Sequence, residues 1–338
     1  MAVTAATEAS DQDQGELRQL DPARDLGKVA DLIAEAFSKD MDRRGRAALR
    51  EMRWMGRLSP LVWWLSQVDP TFHETFNGFV WEEPSAGRRQ IVGNVNLNRA
   101  PGSRSRYIIC NVVVARPYRN QGIGRQLTER AIAQAEANGA QAVVLQVRHD
   151  NPPALHLYAD LGFEEVGGET DLELKAARPG AIRDAAGYGV RAWQPGDGKA
   201  IYELAKQVIP EPQQWFRPIR RDEYWPDWGS RLIDGLGNLL AGRQVRRLVI
   251  LHDEVPVGMV KITVTRHQRG HRLAMLVHPD HAGRIEAALI SRAIHILATA
   301  PPQQVQITIS KGDTHLHRAL DSYGFQEVRT LLTLQKDF

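Results

Sequence analysis

The chain has 338 residues, enough for two domains at about 150 residues each. Hydrophobic residues make up 43 % and charged residues 25 %, which excludes collagen-like, coiled-coil and disordered chains. A net charge of +3 is too small for this length to point to a nucleic-acid partner. The single cysteine, Cys110, excludes an internal disulfide and a thiolate zinc cluster, and makes a reducing cytoplasm the simplest compartment. Residues 1–14 are rich in Ala, Thr, Glu, Asp and Gln. They lack the basic region and apolar run of a signal peptide and read as a disordered tail. No apolar stretch approaches the roughly 18 residues of a membrane span.

In chain order, 16–22 reads as a strand that turns at Asp21-Pro22. Val29, Leu32, Ile33 and Phe37 are spaced for a helix over 25–37. A second helical stretch covers roughly 42–67 and breaks near Ser59-Pro60. Strands follow at 76–81, 91–97 and 107–115, with turns at Gly87 and Pro101-Gly102-Ser103. A helix over 122–138 sets Ile123, Leu127, Ala131, Ile132 and Ala135 on one side and ends at Gly139. A strand at 142–147, a short helix at 153–161 and a closing strand at 171–175 complete this half.

The Ala/Gly/Arg-rich segment 177–189 has no period and reads as a linker. The order then repeats. A strand at 190–193 precedes helices near 197–207 and 229–240. Strands at 247–252, 257–265 and 272–277 follow, then a helix at 281–298, a strand at 304–309, a helix at 314–322 and a strand at 328–334. A shift of 162 residues carries Pro117 onto Pro279, Leu127 onto Leu289 and Arg130-Ala131-Ile132 onto Arg292-Ala293-Ile294. The same shift carries Gly162-Phe163 onto Gly324-Phe325 and Glu165-Val166 onto Glu327-Val328. One ungapped offset over so long a stretch points to a duplicated domain, with halves at 15–176 and 190–338.

The stretch most informative about chemistry runs from Val112-Val113-Val114 through Arg119-Asn120-Gln121-Gly122-Ile123-Gly124-Arg125. A buried strand ends, and a glycine-bearing turn opens a helix. Such a turn leaves backbone N–H groups unpaired at the positive end of the helix dipole, where an anion binds. Gly122 and Gly124 let a phosphate approach the backbone, and Arg119 and Arg125 can add charge-assisted contacts. A glycine-containing turn flanked by solvated arginines has the same spacing. A Walker loop is excluded because no Gly-Lys-Ser/Thr follows. A dinucleotide fingerprint is excluded because Leu127 stands where its third glycine belongs.

Arg119-x-x-Gly122-x-Gly124 after a Val-rich strand resembles motif A of the GCN5-related N-acetyltransferases (GNAT). Asn151-Pro152-Pro153-Ala154-Leu155-His156-Leu157-Tyr158-Ala159-Asp160-Leu161-Gly162-Phe163 resembles that family's motif B. The close likeness covers about 105–167, the element order extends it over 16–176, and the repeat carries it to the end. The resemblance implies an α/β architecture with mixed sheets: two tandem GNAT domains, each with a V-shaped opening between two central parallel strands. It implies acetyl-CoA as co-substrate and no metal. Val112, Val113 and Val114 would pair with the pantetheine arm. The amides of Asn120, Gln121, Gly122, Ile123, Gly124 and Arg125 would hold the pyrophosphate, with Arg119 beside them, and Asn151 would contact the co-substrate. Tyr158 would protonate the leaving thiolate, a task within reach of a phenol whose ordinary pKa is about 10. A strand N–H near Val112 would meet the charge on the carbonyl oxygen. Outside motif B, Tyr158 would read as a core aromatic.

The general base is not identified. The strand before motif A reads Ile108-Ile109-Cys110-Asn111 and carries no acid. Glu82, Glu83, His149 or a chain of waters would have to take the amine proton. His149 and His156 flank motif B but read as surface or structural histidines, and Cys110 reads as a buried, inert thiol. The second half departs from the motif. At the common offset Arg119 becomes His281, Gly122 becomes Arg284, Gly124 becomes Glu286, Asn151 becomes Asp313 and Tyr158 becomes Leu320. A glutamate at a phosphate position repels it, so this half reads as a degenerate copy that packs on the first domain and shapes the acceptor pocket.

Trp54, Trp63 and Trp64 cluster, as do Trp215, Phe216, Tyr224, Trp225 and Trp228. They suit core packing or an acceptor site. Asn94, Asn96 and Asn98 share a strand face that either contacts an acceptor or faces solvent. The whole reads as an N-acetyltransferase acting by direct attack of a small-molecule or peptide amine. The protein would work as a monomer or homodimer, with no nucleic-acid or membrane partner. The alternative is a non-catalytic acyl-CoA-binding sensor or regulator.

Overall fold

The computed structural model describes residues 15–36, 43–57, 77–85, 88–226, 229, 235–238, 240–266 and 270–338. By packing, the chain divides into two compact units. The first contains residues up to Leu145, His156–Glu164 and Leu334–Phe338; the second contains Gln146–Leu155 and Glu165–Thr333. Among the described residues no helix is long and apolar enough to cross a membrane.

In the first unit, strands β1 (Glu16–Gln19), β2 (Gly78–Ser85), β3 (Arg88–Arg99), β4 (Arg106–Val114) and the part of β5 (Ala142–Arg148) up to Leu145 lie in that order. Neighbours are antiparallel except β4 and β5, which are parallel. Helix α1 (Pro22–Ala36) begins at a proline suited to a first turn. It buries Leu26, Val29, Ala30, Leu32 and Ile33, the 3.6-residue stripe expected of one covered face. With Leu49 of α2 (Arg43–Arg57), that stripe packs on Val80, Ile91 and Val113 of the sheet. Helix α3 (Ile123–Ala137) buries Ile123, Leu127, Ala131 and Ala135. Helix α4 (Pro152–Asp160) follows β5.

In the second unit the strand order is β12 (Gln326–Asp337), β6 (Glu164–Leu174), β11 (Val305–Ser310), β10 (His271–Val277), β9 (Val255–Thr265), β8 (Arg243–His252) and β7 (Gly189–Ala192). Helices α5 (Gly198–Val208), α6 (Glu211–Gln214), α7 (Arg221–Tyr224), α8 (Glu286–Ala298) and α9 (Thr314–Ser322) accompany it. The core gathers Leu289, Ala293 and Leu297 of α8, Leu316 and Leu320 of α9, and Val260, Ile262, Ile307 and Phe325.

Three expectations change. The strand at 171–175 is longer and begins at Glu164. It pairs antiparallel with β11, from Glu169↔Ser310 to Leu174↔Val305, and Leu172 enters the second unit's core. The compact units therefore do not follow the repeat at this strand. The helix expected from 281 begins at Glu286 after a short 3-10 turn, Pro279–His281, that the proline starts. Half of the helix expected near 229–240 falls outside the described residues, and so do Trp63, Trp64 and Trp228.

The duplication extends further toward each half's start than the ungapped offset reaches. Arg18 makes a two-pronged pair with Asp25, at 2.6 and 2.9 Å, and Asp25 also accepts the amide of Asp21. Arg191 and Asp197 do the same at 2.7 Å for both contacts, with Asp197 accepting the amide of Gln194. Each device ties an edge strand to the Pro-initiated turn that follows it.

Candidate active site

The β4–β5 ladder runs only from Arg106↔Ala142 to Ile108↔Val144. From Ile109 onward β4 has no strand partner on that side. On its other side the register with β3 jumps: Asn94 opposes Val113, and Asn96 opposes Cys110. One residue, Val95, therefore stands opposite two, Asn111 and Val112, which is a β-bulge. Asn111 takes a φ of +52° there. Asn111 and Val112 lie outside both ladders, so the edge expected to receive an acyl arm is open.

The bulge is braced by asparagines. Asn94 Nδ2 donates to Asn111 O and to Asn96 Oδ1, each at 3.0 Å, and Asn111 Nδ2 donates to Asn96 Oδ1 at 3.1 Å. Asn94 is fully buried and Asn96 is 5 % exposed. The solvated-face reading of these residues fails because the bulge needs its freed groups bound. Asn94 Oδ1 itself is buried without a hydrogen-bond partner. Asn98 is only partly buried, and its Nδ2 lies 3.7 Å from Cys110 Sγ. Cys110 is half-buried, and desolvation pushes its thiol up to about 12, which keeps it neutral.

Beyond β4, residues Arg116–Tyr118 form a 3-10 turn and Gly122 is the N-cap of α3. Asn120 and Gly122 both take the left-handed region, at φ +62° and +79°. No backbone carbonyl or side chain among the described residues accepts the first-turn amides of Ile123, Gly124 and Arg125; Gln126 is the first amide bound, to Gly122 O at 3.1 Å. A Cβ at Gly124 would meet only Val114 and Leu157 side chains, at 3.7 and 3.9 Å. The protein's own packing thus tolerates a side chain at Gly124. The open space and the unbound amides fit a pyrophosphate.

Arg119 Nε donates to Val114 O at 3.0 Å, tying the loop to the strand. Arg125 pairs with Asp160 at the end of α4, at 2.7 Å. Tyr158 is 6 % exposed and stacks edge-on against Phe163 at 5.7 Å. Burial pushes its phenol up to about 12, so it stays a proton donor at any physiological pH. Asn151, in the second unit, caps α4: its carbonyl accepts Leu155 N at 3.1 Å and its Oδ1 accepts Ala154 N at 3.4 Å.

The three candidate bases fare differently. Glu82 is buried between Arg18 and Arg24, at 2.6 and 2.8 Å. The Arg18 guanidinium holds its carboxyl below the usual range, which makes it a weak base. Glu83 accepts Trp81 Nε1 at 2.7 Å. His149 is exposed, and its Nδ1 lies 3.4 Å from Thr330 O.

In the second unit the corresponding loop is filled from within. Glu286, 2 % exposed, accepts the amide of Gly283 at 2.7 Å and that of Ile285 at 3.2 Å. Leu320 is core, and Asp313 caps α9 by accepting Leu316 N at 3.0 Å. His281 Nδ1 lies 2.8 Å from the Tyr188 hydroxyl. Of the aromatic residues, Trp225 packs on Gly198 and beneath Arg221, and Tyr224 joins the core against α5. Trp54 is 60 % exposed.

Residues 39–163 match the acetyltransferase (GNAT) family model. An N-alpha-acetyltransferase of Sulfurisphaera tokodaii is 37 % identical over 75 residues, 22 % of this chain and 45 % of that protein. The [ribosomal protein bS18]-alanine N-acetyltransferase of Escherichia coli is 42 % identical over 55 residues, 16 % of this chain and 37 % of that protein. The matched segment thus spans less than half the length of either relative. Among solved structures, a GCN5-related N-acetyltransferase from Sphaerobacter thermophilus aligns over 96 % of both chains, with a TM-score of 0.63 and 17 % identity. That likeness shows the fold across both halves.

Proposed function

From the GNAT acetyltransferase domain that the chain carries over residues 39–163, we propose that the protein transfers an acetyl group from acetyl-CoA to a primary amine. The observation that carries this is the pairing of two open backbone sites in the first unit. Among the described residues, the first-turn amides of α3 have no acceptor and the bulged residues Asn111 and Val112 have no ladder partner. The amides of Asn120 to Arg125 bind the pyrophosphate. Val112 to Val114 pair with the pantetheine arm, and the Val112 amide stabilises the charge that develops on the carbonyl oxygen. Tyr158 hands its proton to the departing sulfur; its buried hydroxyl suits a donor that never ionises in the resting enzyme.

Peptide α-amines are the first acceptor class, because the named relatives are an N-alpha-acetyltransferase and a ribosomal-protein alanine N-acetyltransferase. The second half is a silent copy. Its loop amides are satisfied by Glu286, and leucine replaces the tyrosine. Thiol release from acetyl-CoA in the presence of amines tests the reading. Acceptor-dependent release supports transfer. Tight acetyl-CoA binding with no release from any amine would instead make the protein a non-catalytic acyl-CoA binder.

A further inference from the structure

Each half contains the same strand pair and ends it the same way. Just past β4, Ala115 N donates to Val92 O at 2.8 Å; just past β10, His278 N donates to Val257 O at 2.9 Å. Gly93 opposes Val114 in the first unit, and Gly258 opposes Val277 in the second. Counted from that shared glycine, Asn94 matches Met259 and Asn96 matches Lys261. The two ladders then part. Met259, Val260 and Lys261 face Leu276, Met275 and Ala274 one to one. In the first unit Asn94 faces Val113 and Asn96 faces Cys110, so Val95 lies against both Asn111 and Val112. Of these two strand pairs, the one beside the unfilled glycine loop is bulged and the one beside the filled loop is not.

The residue that differs is buried in both. Met259 is 2 % exposed and packs with Ile201, Leu204 and Leu276. Asn94, at the matching place, directs its side-chain amide to Asn111 O and Asn96 Oδ1. Its Oδ1 has no partner among the described residues. A buried acceptor without a donor costs folding free energy, and a methionine there has no such acceptor. Asn96 Nδ2 in turn donates to Asn77 O at 3.3 Å, which anchors the group at the start of β2. The first half therefore keeps a less favourable core residue at the point where its strand bulges.

We propose that Asn94 is a positioning residue for acetyl transfer: by binding the Asn111 carbonyl it holds the bulge that aims the Val112 amide at the thioester carbonyl oxygen. This rests on the acetyl-transfer reading above. The Asn111 carbonyl and the Val112 N–H belong to one planar peptide group, so fixing the first fixes the direction of the second. A bulge is the device by which a strand re-aims such a group. Asn111 supports it by taking the left-handed region, at φ +52°, which asparagine tolerates and a β-branched residue does not. Asn94, Asn96, Asn111 and Val112 all lie in the first unit.

The test measures thiol release from acetyl-CoA with two acceptors, a peptide bearing a free N-terminal alanine and spermidine. The proteins are the wild type, Asn94→Met, Asn111→Val and Asn111→Gly, with acetyl-CoA affinity measured by calorimetry alongside. Asn94→Met copies the second half. It lowers kcat roughly 10- to 100-fold, while KM for the acceptor and acetyl-CoA affinity stay within about threefold. Asn111 is exposed, so Asn111→Val leaves the core untouched; it disfavours the left-handed backbone and lowers kcat by a similar factor. Asn111→Gly takes that backbone freely and recovers most of the rate. Wild-type kcat in Asn94→Met or in Asn111→Val would overturn the positioning role and leave acetyl transfer standing. So would a loss of acetyl-CoA affinity as large as the loss of kcat, or an Asn111→Gly as slow as Asn111→Val. No release by the wild type with either acceptor would overturn acetyl transfer, and the role of Asn94 with it.

Discussion

Glu286 turns its carboxylate back onto the amide of Gly283, with Oε1 2.7 Å from the nitrogen. The equivalent position in the first half is Gly124, where the first-turn amides carry no acceptor. An internal carboxylate thus sits where the other copy leaves room for an anion. Replacing Glu286 by Ala strands the buried Ile285 amide and leaves the exposed Gly283 amide to solvent. That costs about 1–3 kcal/mol, read as a lower Tm by calorimetry. An unchanged Tm would mean the contact stabilises nothing.

Tyr158 is predicted to act after binding. Tyr158→Phe keeps the buried ring and its contact with Phe163 while removing the proton. Its kcat falls by about two orders of magnitude, and acetyl-CoA affinity holds within about twofold. Steady-state kinetics with calorimetry check this. Full activity would remove Tyr158 from the chemistry.

The Arg18–Glu82 pair predicts a pH signature in stability. The Glu82 carboxyl is held below its ordinary 4.5, so its contribution is present above that value and is lost as pH falls through the lowered one. Arg18→Ala leaves Asp25 and Glu82 short of their main partner at a cost of about 3 kcal/mol. Unfolding curves from pH 3 to 7 should show the wild type losing this advantage in acid. Parallel curves for the two proteins would contradict it.

Cys110 is predicted to be silent. With its thiol pushed up to about 12, iodoacetamide at pH 8 leaves the folded protein unmodified, and Cys110→Ala keeps its activity. Rapid labelling with loss of turnover would show otherwise.

Much of the site was legible because its chemistry is local. Arg119 to Arg125 and Asn151 to Phe163 are contiguous; the turn follows from Gly122, and the helix starts at Pro152, one residue before the expected Pro153. What escaped was long-range. The pairing of β6 with β11 joins residues about 140 apart, and nothing in the alternation of 164–174 names its partner. Asn94 and Asn96 looked like a wet face because the bulge that buries them lies on another strand. The Arg18–Asp25 device was invisible to a fixed offset because its spacing differs by one residue between the halves.

The central claim is one working acetyl-CoA site, on the first half's glycine loop. Calorimetric titration of acetyl-CoA into the wild type and Gly124→Glu tests it most directly. The account predicts one equivalent bound by the wild type and none by the variant, whose new carboxylate would fill the cradle as Glu286 does in the second half. Two equivalents, or binding retained in Gly124→Glu, would contradict it.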